Sequence, residues 1–229
     1  MEFLTARDIE ILELMSVFGG KTYIEVLEKT FWVGHKNAKI QARNRMTILL
    51  KKYGLFLYKL TGLTSPRSAW ALSEAGKDIV RTMFNKNITN ISVSPVTTQH
   101  NIMEQITYYW LKKLGKNPER TVVSKWSKNH KHTPDIAYET EKGVIYVEIE
   151  KNLKAAGEYN TIFSHIVQDK VFKVLYVVES QKRVEQFANN LPLSEKIMLV
   201  STDTLVAAAQ SGKIGAISQK EARTKSIKG

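Results

Sequence analysis

From Val171 to Glu179 the chain reads Val-Phe-Lys-Val-Leu-Tyr-Val-Val-Glu, an apolar, β-rich run with Lys173 as its only charge before the final glutamate. A strand with one face in water alternates polar and apolar residues, and this one does not. It therefore predicts a central strand covered on both faces. Its neighbours supply the rest of such a domain. Residues 97–114 read as a helix with Ile102, Ile106, Tyr109, Trp110 and Leu114 on one side. Residues 120–125, 135–140 and 143–150 read as strands, the last two joined by a hairpin turn over 139–142. Residues 157–170 form a helix, followed by the central strand. Residues 181–190 are a helix, 196–200 a strand and 202–210 a helix. The predicted order is α-β-β-β-α-β-α-β-α.

The first third has a different grammar. Thr5 is placed to cap a helix over 5–17, with Asp8 at the reciprocal capping position. Gly19-Gly20 ends that helix. Helices are predicted over 22–31 and 36–53, the second with Ile40, Met46, Leu49 and Leu50 facing inward, and Gly54 stops it. Two short strands, 55–60 and 69–72, flank a polar tip containing Ser65, Pro66 and Arg67, and Ser73 caps a further helix. Three helices, a β-hairpin and a helix is the order of a winged helix-turn-helix. The expected division is 1–86 for this domain, 87–96 for a linker rich in Asn, Ser and Thr, 97–210 for the α/β domain, and 211–229 for a loosely held basic tail. The fold class is thus mixed α/β, α+β overall.

Charge points to the partner. The net charge is +12, and no acidic residue lies between Glu28 and Glu74, an interval that holds nine lysines and arginines. One-sided charge over that length is an electrostatic footprint for a polyanion. In a helix-turn-helix the third helix enters the major groove. Here it carries Lys36, Asn37, Lys39, Gln41, Arg43, Asn44 and Arg45, with Arg67 in the wing. Arg and Lys suit guanine and Asn and Gln suit adenine. A solvated face docking a protein is the competing reading. The chain has no cysteine, which excludes disulfides, thiolate nucleophiles and cysteine-based zinc sites. It has neither an apolar run long enough to span a bilayer nor a secretory leader, so a cytoplasmic protein with no membrane partner is expected.

The chemistry concentrates in the hairpin. Asp135 follows Pro134 at the start of one strand, and Glu148 lies near the end of its partner, twelve residues intervening. Glu150 shares a strand face with Glu148, while Val147 and Ile149 take the other. Three carboxylates on one face repel unless a cation sits among them. Asp135, Glu148 and Glu150 are therefore the predicted ligands for Mg²⁺ or Mn²⁺, which would polarise a phosphodiester and activate water. A solvated acidic face is the plain alternative.

Pro134-Asp135, the hairpin, then Glu148-Ile149-Glu150-Lys151 resembles the PD-(D/E)xK nuclease superfamily, and the αβββαβ order matches its restriction-endonuclease-like fold with a mixed central sheet. The departure is Glu150 where that pattern has lysine, with Lys151 one residue late. Together with the winged helix, the organisation resembles the replication-relaxation family, which includes MobC-type relaxases of mobilizable plasmids. That resemblance implies site-specific DNA nicking at a transfer origin, with accessory mobilisation proteins as partners. The resemblance to the nuclease superfamily also makes Glu104 a candidate to join the metal site, with His100, one helical turn earlier, placed to position water or phosphate. His130 and His132, beside Lys128 and Lys131, are placed to meet substrate phosphate. Of Tyr108, Tyr109, Tyr138, Tyr146 and Tyr159 none has a histidine triad nearby, which favours activated water over a tyrosine nucleophile. Two other readings stand: a plasmid or phage regulator or replication factor whose second domain has lost chemistry, and a dimeric double-strand endonuclease.

Overall fold

The computed structural model describes residues 4–54, 56–60, 69–88, 97–121, 126 and 128–228. The chain is a mixed α/β protein that divides into two compact units, Met1–Gln105 and Ile106–Gly229. The division falls inside a helix, and residues 89–96 of the expected linker 87–96 lie outside the described residues. Among the described residues no helix is long and apolar enough to cross a membrane.

The first unit runs α1 (Ala6–Val17), β1 (Lys21–Tyr23), α2 (Ile24–Thr30), α3 (Ala38–Tyr53), β2 (Phe56–Leu60), β3 (Ala69–Leu72) and α4 (Glu74–Phe84). The α1 cap forms as its sequence requires. Thr5 Oγ1 accepts from Asp8 N at 3.2 Å, and Asp8 Oδ2 accepts from Thr5 N at 2.8 Å. Gly54 ends α3 at φ 61°, a left-handed backbone that glycine adopts without strain. Ser73 caps α4 by accepting from Gly76 N at 3.1 Å. β1 overlaps the start of the predicted second helix. It pairs antiparallel with β3, which also pairs with β2, giving the order β1-β3-β2. Three residues are too few to show a period, so only the partner strand reveals it. Ile11, Leu12, Met15, Leu27, Met46, Leu49, Leu72 and Val80 are buried here. Ile40, expected to face inward, is 55% exposed.

The second unit contains the second half of α5 (Thr98–Lys113), then β4 (Glu119–Arg120), β5 (Ile136–Thr140), β6 (Gly143–Glu150), α6 (Ala156–Gln168), β7 (Lys173–Val178), α7 (Gln181–Asn190), β8 (Ile197–Ser201), α8 (Thr202–Ala209), β9 (Ile217–Ser218) and α9 (Gln219–Lys228). The six strands lie in sequence order. The β4-β5-β6 meander is antiparallel, β6-β7-β8 is parallel, and β9 closes the edge antiparallel. As the apolar run demanded, β7 is buried on both faces. Tyr146, Val174, Tyr176, Val178, Ile197 and Leu199 form one core with Tyr159 and Ile166 of α6, Val184 and Phe187 of α7, and Ala222 of α9.

The expected loose tail is instead structured. Gln219 is 1% exposed and donates to the carbonyls of Ala188 and Leu191 at 2.9 and 3.1 Å. Arg223 donates to the same two oxygens, each at 2.8 Å. These carbonyls end α7 and have no partner within their own helix. Two side chains of a basic, polar segment satisfy them, which is why its composition reads as solvated while its structure is docked.

Candidate active site and nucleic-acid interface

The hairpin register assembles the acids. Ile136 pairs with Val147, so Asp135 stands one step beyond that pair, level with Glu148. Asp135 is oriented by the backbone, its Oδ2 accepting from Ile149 N at 2.8 Å. Glu148 and Glu150 share one face of β6 and are 8% and 6% exposed. In the parallel ladder they lie beside Tyr176 and Val178.

Each glutamate has its own partner. His132 Nε2 lies 2.7 Å from Glu148 Oε1, with one proton between them. Lys154 Nζ donates to Glu150 Oε1. Lys154, three residues beyond the predicted Lys151, is thus the cation that meets Glu150. β6 ends at Glu150, and the turn that follows carries Lys154 back over the strand. Burial pushes the Glu148 carboxyl up to about 7, with the charges of Asp135 and Glu150 adding to the rise and the His132 hydrogen bond opposing it. For His132, burial opposes the charged form. The hydrogen bond to Glu148 and the charges of Glu148, Asp169 and Asp135 outweigh it and raise the pKa above its ordinary value.

The loop bearing His132 is held from below by Asp169, a residue with no signature in the sequence. Its Oδ1 accepts from Lys131 N at 2.7 Å and its Oδ2 from His132 N at 3.0 Å. The Tyr146 hydroxyl also donates to Asp169 Oδ2 at 3.1 Å and lies 2.9 Å from His130 Nδ1. The His130 ring stacks on Trp126 with centroids 4.4 Å apart. His130 is therefore part of the scaffold under the loop. Tyr138, Tyr146 and Tyr159 are buried.

Glu104 and His100 fall in the first unit. There Glu104 is 3% exposed and stands close enough to Tyr23 for its charge to raise that hydroxyl's pKa, behind the larger effect of burial.

Among the described residues no group of three or more histidine, aspartate or glutamate side chains is arranged to hold a metal ion. The hairpin offers a smaller set. Mg²⁺ commonly binds through one or two carboxylates, its waters and substrate phosphate. Asp135 and Glu148 fit that mode: their mutual repulsion contributes to the raised Glu148 pKa, which a cation would relieve. Burial, with the charges of Glu148 and Glu150 adding, pushes up the pKa of the Tyr176 hydroxyl, which has no hydrogen-bond partner. Glu150 is engaged by Lys154 and drops out of the minimal set.

In the first unit Lys36, Asn37, Lys39, Gln41, Arg43 and Asn44 are exposed at the start of α3 and through its first two turns. Gln41 donates back to the Lys36 carbonyl at 3.1 Å, closing the helix start. Arg45 turns inward. Its Nε donates to Asp8 Oδ1 at 2.9 Å and its second guanidinium nitrogen to Oδ2, and Asp8 is 1% exposed. Arg45 ties α3 to α1 instead of facing outward with the others. Ser65, Pro66 and Arg67 of the expected wing tip lie outside the described residues. No known family model, curated protein or solved structure matches this chain.

Proposed function

We propose that this protein is a site-specific, metal-dependent DNA endonuclease that nicks one strand. On this reading the first unit is a winged helix-turn-helix and the second a PD-(D/E)xK-like nuclease. The observation that carries the reading is the Asp135–Glu148 pair, set side by side by the hairpin with Glu148 pushed up to about 7. The order α1-β1-α2-α3-β2-β3, with β1 closing the sheet on β3, supports the winged-helix assignment. The meander followed by a parallel crossover supports the nuclease assignment.

A divalent cation, Mg²⁺ or Mn²⁺, would be held by Asp135 and Glu148, and when bound it supplies charge neutralisation at the phosphodiester and an acidified water. The chain's own residues do the remaining work. The Ile149 N–H fixes the rotamer of Asp135. His132 holds a proton against Glu148 and fixes the orientation of that carboxyl. Lys154 balances Glu150 and presents positive charge where the resemblance expects a lysine. Asp169 keeps the His132 loop in place. The resemblance to the replication-relaxation family extends the proposal to a plasmid transfer origin as target and mobilisation proteins as partners.

One observation favours a second reading. Glu150 occupies the lysine slot and is closed off by Lys154, as suits a DNA-binding regulator whose second unit has lost chemistry. Nicking of supercoiled DNA carrying the cognate origin, with Mg²⁺ or Mn²⁺, separates the two. The nuclease reading expects relaxation by the wild type, loss in Asp135→Ala, Glu148→Ala and Lys154→Ala, and little change in Lys151→Ala. Specific DNA binding without cleavage in either metal would leave the regulator.

A further inference from the structure

The helix proposed to read DNA carries two isoleucines on its outer surface. Ile40 is 55% exposed and Ile48 44% exposed, and they are two of the five large hydrophobic side chains exposed among the described residues. They are not scattered. Ile40, Asn44 and Ile48 follow at i, i+4 and i+8, a single row along α3. Ile40 is the third residue of the helix and lies in its first turn, the end that a recognition helix brings to base edges. Exposed Lys36, Lys39 and Arg43 surround it. No acidic residue occurs between Glu28 and Glu74 to oppose a phosphate backbone. That charge selects duplex DNA over a second copy of this basic chain as the occupant of the row.

An aliphatic side chain facing the major groove has one apolar feature to meet, the C5-methyl group of thymine, and an asparagine has the N6 and N7 of adenine. Four helical residues span about 6 Å, close to two base-pair steps at about 3.4 Å each. We propose that Ile40 reads a thymine methyl and Asn44 an adenine about two base pairs away, so that this pair of residues sets an A·T-containing core in the target. The inference rests on the DNA-binding reading of the first unit and is independent of cleavage.

The test uses the full chain with EDTA, so that only binding is read. A preferred duplex is first selected from a random pool. Each thymine is then replaced singly by uracil, which removes only the methyl group. Wild type should bind about fourfold more weakly at one position, the value of one buried methyl. Ile40→Ala should lose a similar factor on the thymine duplex and be indifferent to uracil there. Asn44→Ala should relax the adenine preference two positions away. Because Ile40 is exposed, the variant should keep the wild-type circular dichroism and melting temperature. Wild-type indifference to uracil at every position, or an undiminished uracil penalty in Ile40→Ala, overturns the inference while leaving DNA binding intact. Failure to select any duplex at low salt overturns the DNA-binding reading, and the inference with it.

Discussion

Glu148→Gln should stabilise the metal-free protein at pH 8 and leave it unchanged or slightly weaker at pH 5. In the folded protein burial, with Asp135 and Glu150 nearby, pushes the Glu148 carboxyl from the ordinary 4.5 up to about 7. As pH rises, the unfolded chain ionises first, so folding stability falls between those two values and is flat above them. By pH 8 the loss is on the order of 3 kcal/mol. His132 works in the same direction. Its folded pKa is raised, so its contribution is full below 6.5 and fades as pH passes the folded value. The two groups share a proton and titrate as a pair. Glutamine keeps the shape and a hydrogen bond to His132 without the charge. The assay is urea unfolding of EDTA-treated protein from pH 5 to 8, read by pulse proteolysis so that fragments of the second unit are followed separately. The difference between wild type and variant cancels the titrating groups that are not coupled to Glu148 and leaves the Glu148–His132 pair. Mg²⁺ or Mn²⁺ should restore the wild type at pH 8 and do little for Glu148→Gln. A difference that does not change with pH, or an equal metal response in both proteins, would refute the reasoning.

Arg45→Met should lower the stability of the first unit by roughly 2–3 kcal/mol, because Asp8 stays buried without its cation; thermal melts check this, and DNA affinity measured well below the melting temperature should change little. Asp169→Asn turns one acceptor into a donor facing the N–H groups of Lys131 and His132. It should destabilise the loop by roughly 2 kcal/mol, seen as faster amide exchange at both residues and a shifted His132 ring nitrogen resonance. Gln219→Ala exposes the carbonyls of Ala188 and Leu191 to loss of one donor each and should lower second-unit stability by roughly 1–2 kcal/mol, measured by denaturation.

Much of this architecture was legible because it is local. The Thr5–Asp8 cap, the Gly54 stop, the Ser73 cap and the strand Gly143–Glu150 follow from residues a few positions apart. The alternation of Val147 and Ile149 against Glu148 and Glu150 by itself puts both glutamates on one face. The misses share a different cause. β1 and β9 are three and two residues long and exist only through a partner strand. Ile40 breaks the apolar period of its helix, and a pattern that counts apolar residues as buried turns it the wrong way. Arg45 reads as a surface cation until Asp8, thirty-seven positions away, is found beneath it.

The sequence by itself determined the types of the longer elements before residue 211, the buried character of β7, the basic surface of the first unit and the pairing of Asp135 with Glu148 across a hairpin. Periodicity, capping and net charge are properties of neighbouring residues and need no fold to express them. Only the tertiary structure decided that His132 and Lys154 each take one glutamate, that Asp169 holds the loop, and that Gln219 and Arg223 dock the tail. Those contacts join groups brought together by chain crossovers and turns, and long-range polar contacts leave no period in the sequence to read.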